Sequence, residues 1–235
     1  MRFPTRTSVS AAIFVLICLL PAAAQATEDD IGIWAIFSTT DAFDTESGPS
    51  RWRYWFDAQA RYFDIGSGVN QYVLRPGVGY DISSNMSVWA GYGYFHSRSA
   101  SGATITENRF WQQLSWNVAR MGGGELSMRA RLEERSLSSG DDLGLVLRYM
   151  AKYVKPIGES KGIDLIFSLE PFFKLNDTDW GGDTGLGQVR TVIGVGWKLT
   201  PKAGIETGYM NQYILRDNAG NLMNHIAVVN FKVKF

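Results

Sequence analysis

Cysteine is almost missing from this chain: Cys18 is the single one among 235 residues, and it sits in an N-terminal stretch that reads as a removable leader. A disulfide framework, a Cys-ligated zinc site and a thiol nucleophile are therefore excluded. Net charge is missing too, with 23 Lys and Arg against 23 Asp and Glu, so neither a basic nucleic-acid surface nor an acidic tail is present. Histidine occurs only twice, at His96 and His225. After residue 26 no apolar run reaches helical membrane length, and no 3.6-residue stripe persists over several turns. Helices do not organise the chain. The glycine run Gly122 to Gly124 is not followed by a helix, so it marks a turn rather than a phosphate cradle, and no cofactor is expected.

The N-terminus carries Arg2 and Arg6, an apolar core from Ala11 to Leu20, then Pro21 and the small residues Ala22 to Ala26. That order is the layout of a secretory signal peptide with cleavage after Ala26. A core of ten residues is too short to cross the ~30 Å hydrocarbon layer as a helix. We therefore expect a leader at 1–26 and one domain at 27–235. Cys18 follows Ile17 and precedes Leu19 and Leu20, which is unlike a lipoprotein attachment site.

What recurs in the rest is strict alternation over 9 to 14 residues, broken by Gly, Asp, Asn, Ser and Pro clusters. Strands are expected at 31–39, 51–63, 70–80, 86–96, 106–118, 125–136, 143–155, 162–174, 187–199, 203–214 and 223–235. A soluble strand averages five or six residues, whereas 9–11 tilted residues cross a bilayer. In 51–63, Trp52, Tyr54, Phe56, Ala58, Ala60 and Tyr62 share one face, and Arg53, Trp55, Asp57, Gln59 and Arg61 the other.

The polar faces together carry thirteen basic residues, Arg53, Arg61, Arg75, Arg109, Arg129, Arg131, Arg135, Arg148, Lys152, Arg190, Lys198, Lys232 and Lys234, against six acidic ones, Asp57, Glu107, Glu133, Asp164, Glu170 and Glu206. An excess of seven positive charges inside a dry soluble barrel would be prohibitive, whereas a hydrated interior tolerates it. A transmembrane up-and-down antiparallel β-barrel in the cell outer membrane follows, with the charged face inward and the aromatic face toward membrane lipid and lipopolysaccharide. The alternative is a soluble two-sheet sandwich with its charges in solvent.

Tyrosines and tryptophans near strand ends, among them Tyr72, Tyr94, Trp116, Tyr149, Trp197 and Tyr209, fit interfacial girdles. Phe231, Val233 and the terminal Phe235 form an alternating aromatic end that fits a signal read by the barrel assembly machinery. Short connections at 81–85 and 200–202 are expected at the periplasmic mouth, with both termini, and the longer segments 97–105, 136–142, 175–186 and 215–222 at the extracellular one. Eleven strands are visible; since bacterial barrels are even-numbered, about twelve are expected, with ten as the alternative.

In order and spacing, Asn108-Arg109-Phe110-Trp111-Gln112-Gln113-Leu114, Arg129-Ala130-Arg131-Leu132-Glu133-Glu134-Arg135, Gln188-Val189-Arg190 with Gly194 and Gly196, Gly208-Tyr209 and Asn224-His225 resemble the family called domain of unknown function 2490. The resemblance runs from about Trp34 to Phe235. It implies a Gram-negative outer-membrane barrel and says nothing of a substrate.

Two readings of the inward charges stand: a salt-bridge network bracing the barrel, or a narrow porin-like path favouring anions. Inward Gly77, Gly79, Gly91, Gly93, Gly194 and Gly196 leave space, and inward Trp55, Trp89 and Trp111 refill it. A non-enzymatic barrel with a basic, partly plugged lumen is expected, and the alternative is a lipid-modifying hydrolase using a rim histidine. His225 has the outward parity of Phe235, and Ser97 and Ser99 adjoin His96. Asp177, Asp179 and Asp183 lack the ligand pattern of a calcium loop and read as a solvated acidic loop.

Overall fold

A computed structural model describes residues 27–235 apart from 47, 66, 159–161 and 217–219. The leader expected at 1–26 lies outside the described residues.

Eleven strands form one closed sheet: β1 Thr27–Thr45, β2 Gly48–Tyr62, β3 Asn70–Ser83, β4 Met86–Arg98, β5 Thr104–Met121, β6 Gly124–Leu137, β7 Leu143–Ile157, β8 Ile163–Lys174, β9 Gly185–Lys198, β10 Ala203–Ile214 and β11 Asn221–Val233. Each of β2 to β11 pairs antiparallel with its predecessor in sequence, so the chain runs up and down around the barrel. The sandwich alternative is excluded, because there is one sheet with no free edge. All eleven expected segments are strands, each a few residues from the boundaries expected.

The expected count of about twelve is corrected. An up-and-down sheet with an odd number of strands brings its first and last strands to the seam pointing the same way. Here β1 closes on β11 in parallel, from Thr27 beside Asn221 to Thr39 beside Val233. Among the described residues no twelfth strand stands between them. A second correction follows from that pairing: Thr27, at the start of described β1, lies at the mouth opposite Phe235. The expectation of both termini at one mouth fails for the described chain.

The connections sort by mouth. Tight links sit at the mouth where β11 ends, including 84–85, 122–123 and 199–202, while the longer ones at 63–69, 99–103, 138–142, 175–184 and 215–220 sit at the other. Met121 and Gly124 face each other across a two-residue turn in which Gly122 and Gly123 have φ of 56° and 79°. Two positive φ values in succession are the primed hairpin geometry that matches strand twist, and glycine adopts it without steric cost.

Alternation assigns the faces. On β2, Asp57, Gln59 and Arg61 are buried while Trp52, Phe56 and Tyr62 are exposed. Outward apolar side chains such as Phe110, Leu165, Phe167, Ile193 and Val229 recur around the circumference. Apolar surface on that scale needs a nonaqueous neighbour.

Candidate functional site: the charged and aromatic interior

Large side chains are buried inside the barrel. Trp111 is 1% exposed, Arg131 0% and Glu133 1%, and Val73, Phe95, Asp57, Asn224 and Ile226 are buried to a similar degree. The indoles fit because the wall opposite them has no side chains. A Cβ on Gly79 would fall within the Trp89 ring, and one on Gly77 or Gly91 within the Trp111 ring. These glycines leave no void; each seats an aromatic plane against the backbone. Trp55 then meets both rings edge-on, with centroids at 5.9 Å from Trp89 and 6.0 Å from Trp111.

Guanidinium planes stack between the rings. Arg131 lies over Trp111 at 4.3 Å, Arg109 over Phe95 at 3.7 Å, Arg61 over Trp34 at 4.0 Å and Arg148 over Phe172 at 4.2 Å. Arg190 is 4.7 Å from Phe172 and 4.9 Å from Trp34. In a desolvated setting such contacts contribute about 2 kcal/mol each, and a planar, weakly hydrated cation suits them better than an ammonium.

Carboxylates tie the guanidiniums into a network. Glu133 accepts from Arg135 Nη2 at 2.6 Å, from Arg109 Nη1 at 3.2 Å and from Arg148, and Arg131 Nη1 is 3.8 Å away. Glu170 binds Arg148 Nη2 at 2.8 Å and also Arg129. Glu107 accepts from Arg109 Nη2 at 2.7 Å. Asp57 accepts from Arg75 Nε at 2.8 Å, Trp55 Nε1 at 2.7 Å and Gln59 Nε2 at 2.7 Å. Nearer the short-turn mouth, Glu206 meets Lys232 at 2.9 Å and Lys152 at 3.6 Å, Asp164 meets Lys198 at 3.7 Å, and Arg53 meets Asp81 at 3.2 Å.

Of the charged residues expected on the inner face, Asp57, Arg61, Arg131, Glu133, Arg148 and Glu170 are buried. Sequence reasoning placed Gln59 on the inner face but did not foresee that amides bond the cations left over. Gln113 Oε1 accepts from Arg131 Nε at 2.8 Å and Nη2 at 2.5 Å, Gln59 Oε1 from Arg61 Nε at 2.8 Å, and Gln71 Oε1 from Arg61 Nη1 at 2.7 Å. Asp81 was missed as well. The parity that selected the arginines and Gln59 would also have selected Gln71, Gln113 and Asp81.

The two histidines have the outward parity, near the mouth with the longer connections. His96 lies outward while Ser97 turns inward and accepts from Gln71 Nε2 at 2.8 Å, so that pair is split between faces. Ser99 Oγ is 2.9 Å from Ser101 Oγ. His225 Nδ1 is 2.7 Å from Tyr209 Oη, and its Nε2 is 4.0 Å from Asp29 Oδ1 across the seam. Its close partner is a phenol, not a serine.

Asp177, Asp179 and Asp183 are exposed, and the acidic loop is also clasped to its neighbour: Asp179 Oδ2 accepts from the Asp141 N–H at 2.9 Å and Oδ1 from the Asp142 N–H at 3.2 Å, while Asp142 Oδ2 accepts from the Asp179 N–H at 2.8 Å. Trp180 donates to the Asp142 carbonyl at 2.8 Å and lies on Gly144. Asp177 Oδ1 caps Thr184. The Asp179 carboxyl is held below the ordinary aspartate range, first by the Asp141 N–H and then by the Asp142 N–H. Among the described residues, no three His, Cys, Asp or Glu side chains gather as metal ligands.

Among the described residues the fold and interior define a closed eleven-stranded β-barrel with an apolar outer face and with charged and aromatic side chains buried inside it. The family model described as Protein of unknown function (DUF2490) matches residues 31–224, and the chain belongs to that family. It is similar to an uncharacterized protein of Methylorubrum extorquens, 29% identical over 223 residues that cover 93% of this chain and 95% of that one. Among solved structures, a NanC porin in a rhombohedral crystal form has a TM-score of 0.46 and 13% identity, covering 82% of this chain and 93% of that chain.

Proposed function

We propose that this protein is an outer-membrane β-barrel closed at its waist, a structural element rather than an open channel, inserted with its short turns and C-terminus toward the periplasm after loss of the leader 1–26. Strands of 12 to 19 residues, an apolar outer face and a charged interior support the membrane placement, since a soluble barrel has the opposite arrangement. Lipid and lipopolysaccharide are then the outer neighbours, and Phe231, Val233 and Phe235 are the segment offered to the assembly machinery.

The observation that carries the closed reading is the complete burial of Arg131, Glu133 and Trp111 in mid-wall. Barrels of about eight strands fill with side chains and those of sixteen leave a channel; eleven lies between, and indoles seated on glycines support filling. A second reading is favoured by one observation: in the waist layer eight guanidiniums face four carboxylates, Asp57, Glu107, Glu133 and Glu170. If that layer parts, the path favours anions. Swelling of proteoliposomes in isotonic solutions of small sugars and salts tests the choice. The closed reading expects the rate of protein-free liposomes, and rapid swelling would refute it.

A further inference from the structure

The short-turn half of the interior is not filled. Between the β3–β4 turn and the facing wall of β5 and β6 lies a cavity of about 400 Å³, lined in part by Trp55, Trp89, Gln113, Ser115, Ser127 and Arg129. The volume is within the range of small-molecule sites, and the lining is mostly polar with indole surface beside it, which suits a polar solute.

Arg129 is the group in this lining whose bonding is incomplete. Its side chain is 13% exposed, and among the described residues its one hydrogen bond runs from Nη2 to Glu170 Oε1. That oxygen is shared, because Arg148 donates to it from Nε at 3.0 Å and from Nη2 at 2.8 Å. Arg129 Nε is enclosed without any acceptor and so beyond the reach of a solute, whereas the terminal Nη1 is not enclosed and has no hydrogen-bond acceptor among the described residues. A buried cation with one shared acceptor out of five N–H donors calls for a further partner. The other cation of the cavity, Arg53, has Asp81 at 3.2 Å. Ser115 Oγ accepts from Gln113 Nε2 at 2.8 Å, which leaves the Ser115 proton to donate.

We propose that this cavity binds a small oxyanion, a free carboxylate or phosphoryl solute entering from the short-turn mouth, with Arg129 as its cationic seat, Ser115 as a second donor and Trp55 as an apolar floor. Guanidinium donors in a fork match the paired oxygens of either group. The site is one-ended, so it needs no passage through the waist and holds whether or not the barrel conducts.

The test uses the full-length protein folded in detergent, titrated with inorganic phosphate and separately with acetate, against sodium chloride at equal ionic strength. Tryptophan emission is the readout, since Trp55 and Trp89 line the cavity. A saturable change with at least one oxyanion, and none with chloride, is expected. Arg129→Gln should raise the midpoint about tenfold or more, as loss of a desolvated charge partner does. Ser115→Leu, which fills the cavity and leaves Arg129 in place, should abolish the change. Lys202→Gln, in the neighbouring lobe of the same mouth, should leave the midpoint within about twofold, as a rim charge does. Should Arg129→Gln fail to fold, Ser115→Leu decides alone. A linear response to both oxyanions, an unchanged midpoint in the cavity variants, or an equal shift in Lys202→Gln would overturn the proposal, the last by reducing it to diffuse attraction at a basic mouth.

Discussion

Glu133 on β6 is held by Arg148 on β7 from one side and by Arg109 on β5 from the other. One carboxylate therefore joins three adjacent strands across the barrel interior, and Arg135 completes the grip at 2.6 Å. Covalent neighbours along the chain do not make this contact; the register that sets Glu133 opposite Trp111 and Val146 does.

Replacing Glu133 with Gln leaves its arginines buried around a neutral amide. Removing one partner of a buried ion pair costs about 3–5 kcal/mol, so Glu133→Gln should lower the urea midpoint of the detergent-folded barrel sharply. Glu206→Gln, near the open mouth beside half-exposed Lys232, should cost about 0–1 kcal/mol. Equal losses would mean that Glu133 is no hub.

The seating of indoles on glycines is open to a double-mutant cycle. Gly79→Ala places a methyl inside the Trp89 ring and should destabilise by about 1–3 kcal/mol, the usual cost of overpacking. In a Trp89→Ala background the same methyl meets no ring, so the two changes should be non-additive, with a coupling of at least about 0.5 kcal/mol. Additivity would place the strain elsewhere.

The clasp between the 138–142 and 175–184 loops should be acid-labile. Asp179 has a depressed folded-state pKa because the Asp141 and Asp142 amides donate to its carboxylate. A depressed carboxyl pKa gives stability that is fully present above the unfolded value, about 3.9, and lost as pH falls through the lower folded value. Amide exchange at Asp141 and Asp142, corrected for its intrinsic pH dependence, should show constant protection from pH 7 to about 5 and lose it below about 4. In Asp179→Ala it should be weak throughout. Protection that persists in acid would show that Trp180 alone holds the clasp.

Phe235 lies beyond the end of β11 and is 69% exposed, so it contributes little to native packing. If it is read during assembly, deleting it should reduce the heat-modifiable folded fraction in outer membranes several-fold, while the urea midpoint of the protein refolded in detergent moves little. Parallel losses in both would make the residue structural.

The strands were legible because one periodicity governs each: Trp52 to Tyr62 alternates with only Trp55 out of pattern, and Gln188 to Lys198 with only Thr191 and Val192 out of pattern. The same alternation sorted Arg131 and Glu133 to the inner face. Closure was not legible. Nothing within Ile31 to Thr39 records that its neighbour is β11 in parallel, because pairing of chain ends leaves no pattern in either strand, and the rule of even counts pointed to a twelfth. The wiring of Arg129 and Arg148 onto one oxygen of Glu170, and of Tyr209 onto His225, depends on stagger between strands, which alternation does not encode. The Asp179 clasp was hidden because its acceptors serve backbone amides of another loop, 37 and 38 residues away.

The central claim is that the waist is sealed by side chains, and planar-bilayer recording of the purified barrel tests it most directly. The account predicts no steady single-channel conductance for the native protein, and the appearance of anion-preferring steps when Trp111→Ala and Arg131→Ala are combined to unseat the plug. Stable, ion-selective steps from the native chain at ordinary membrane potentials would contradict it.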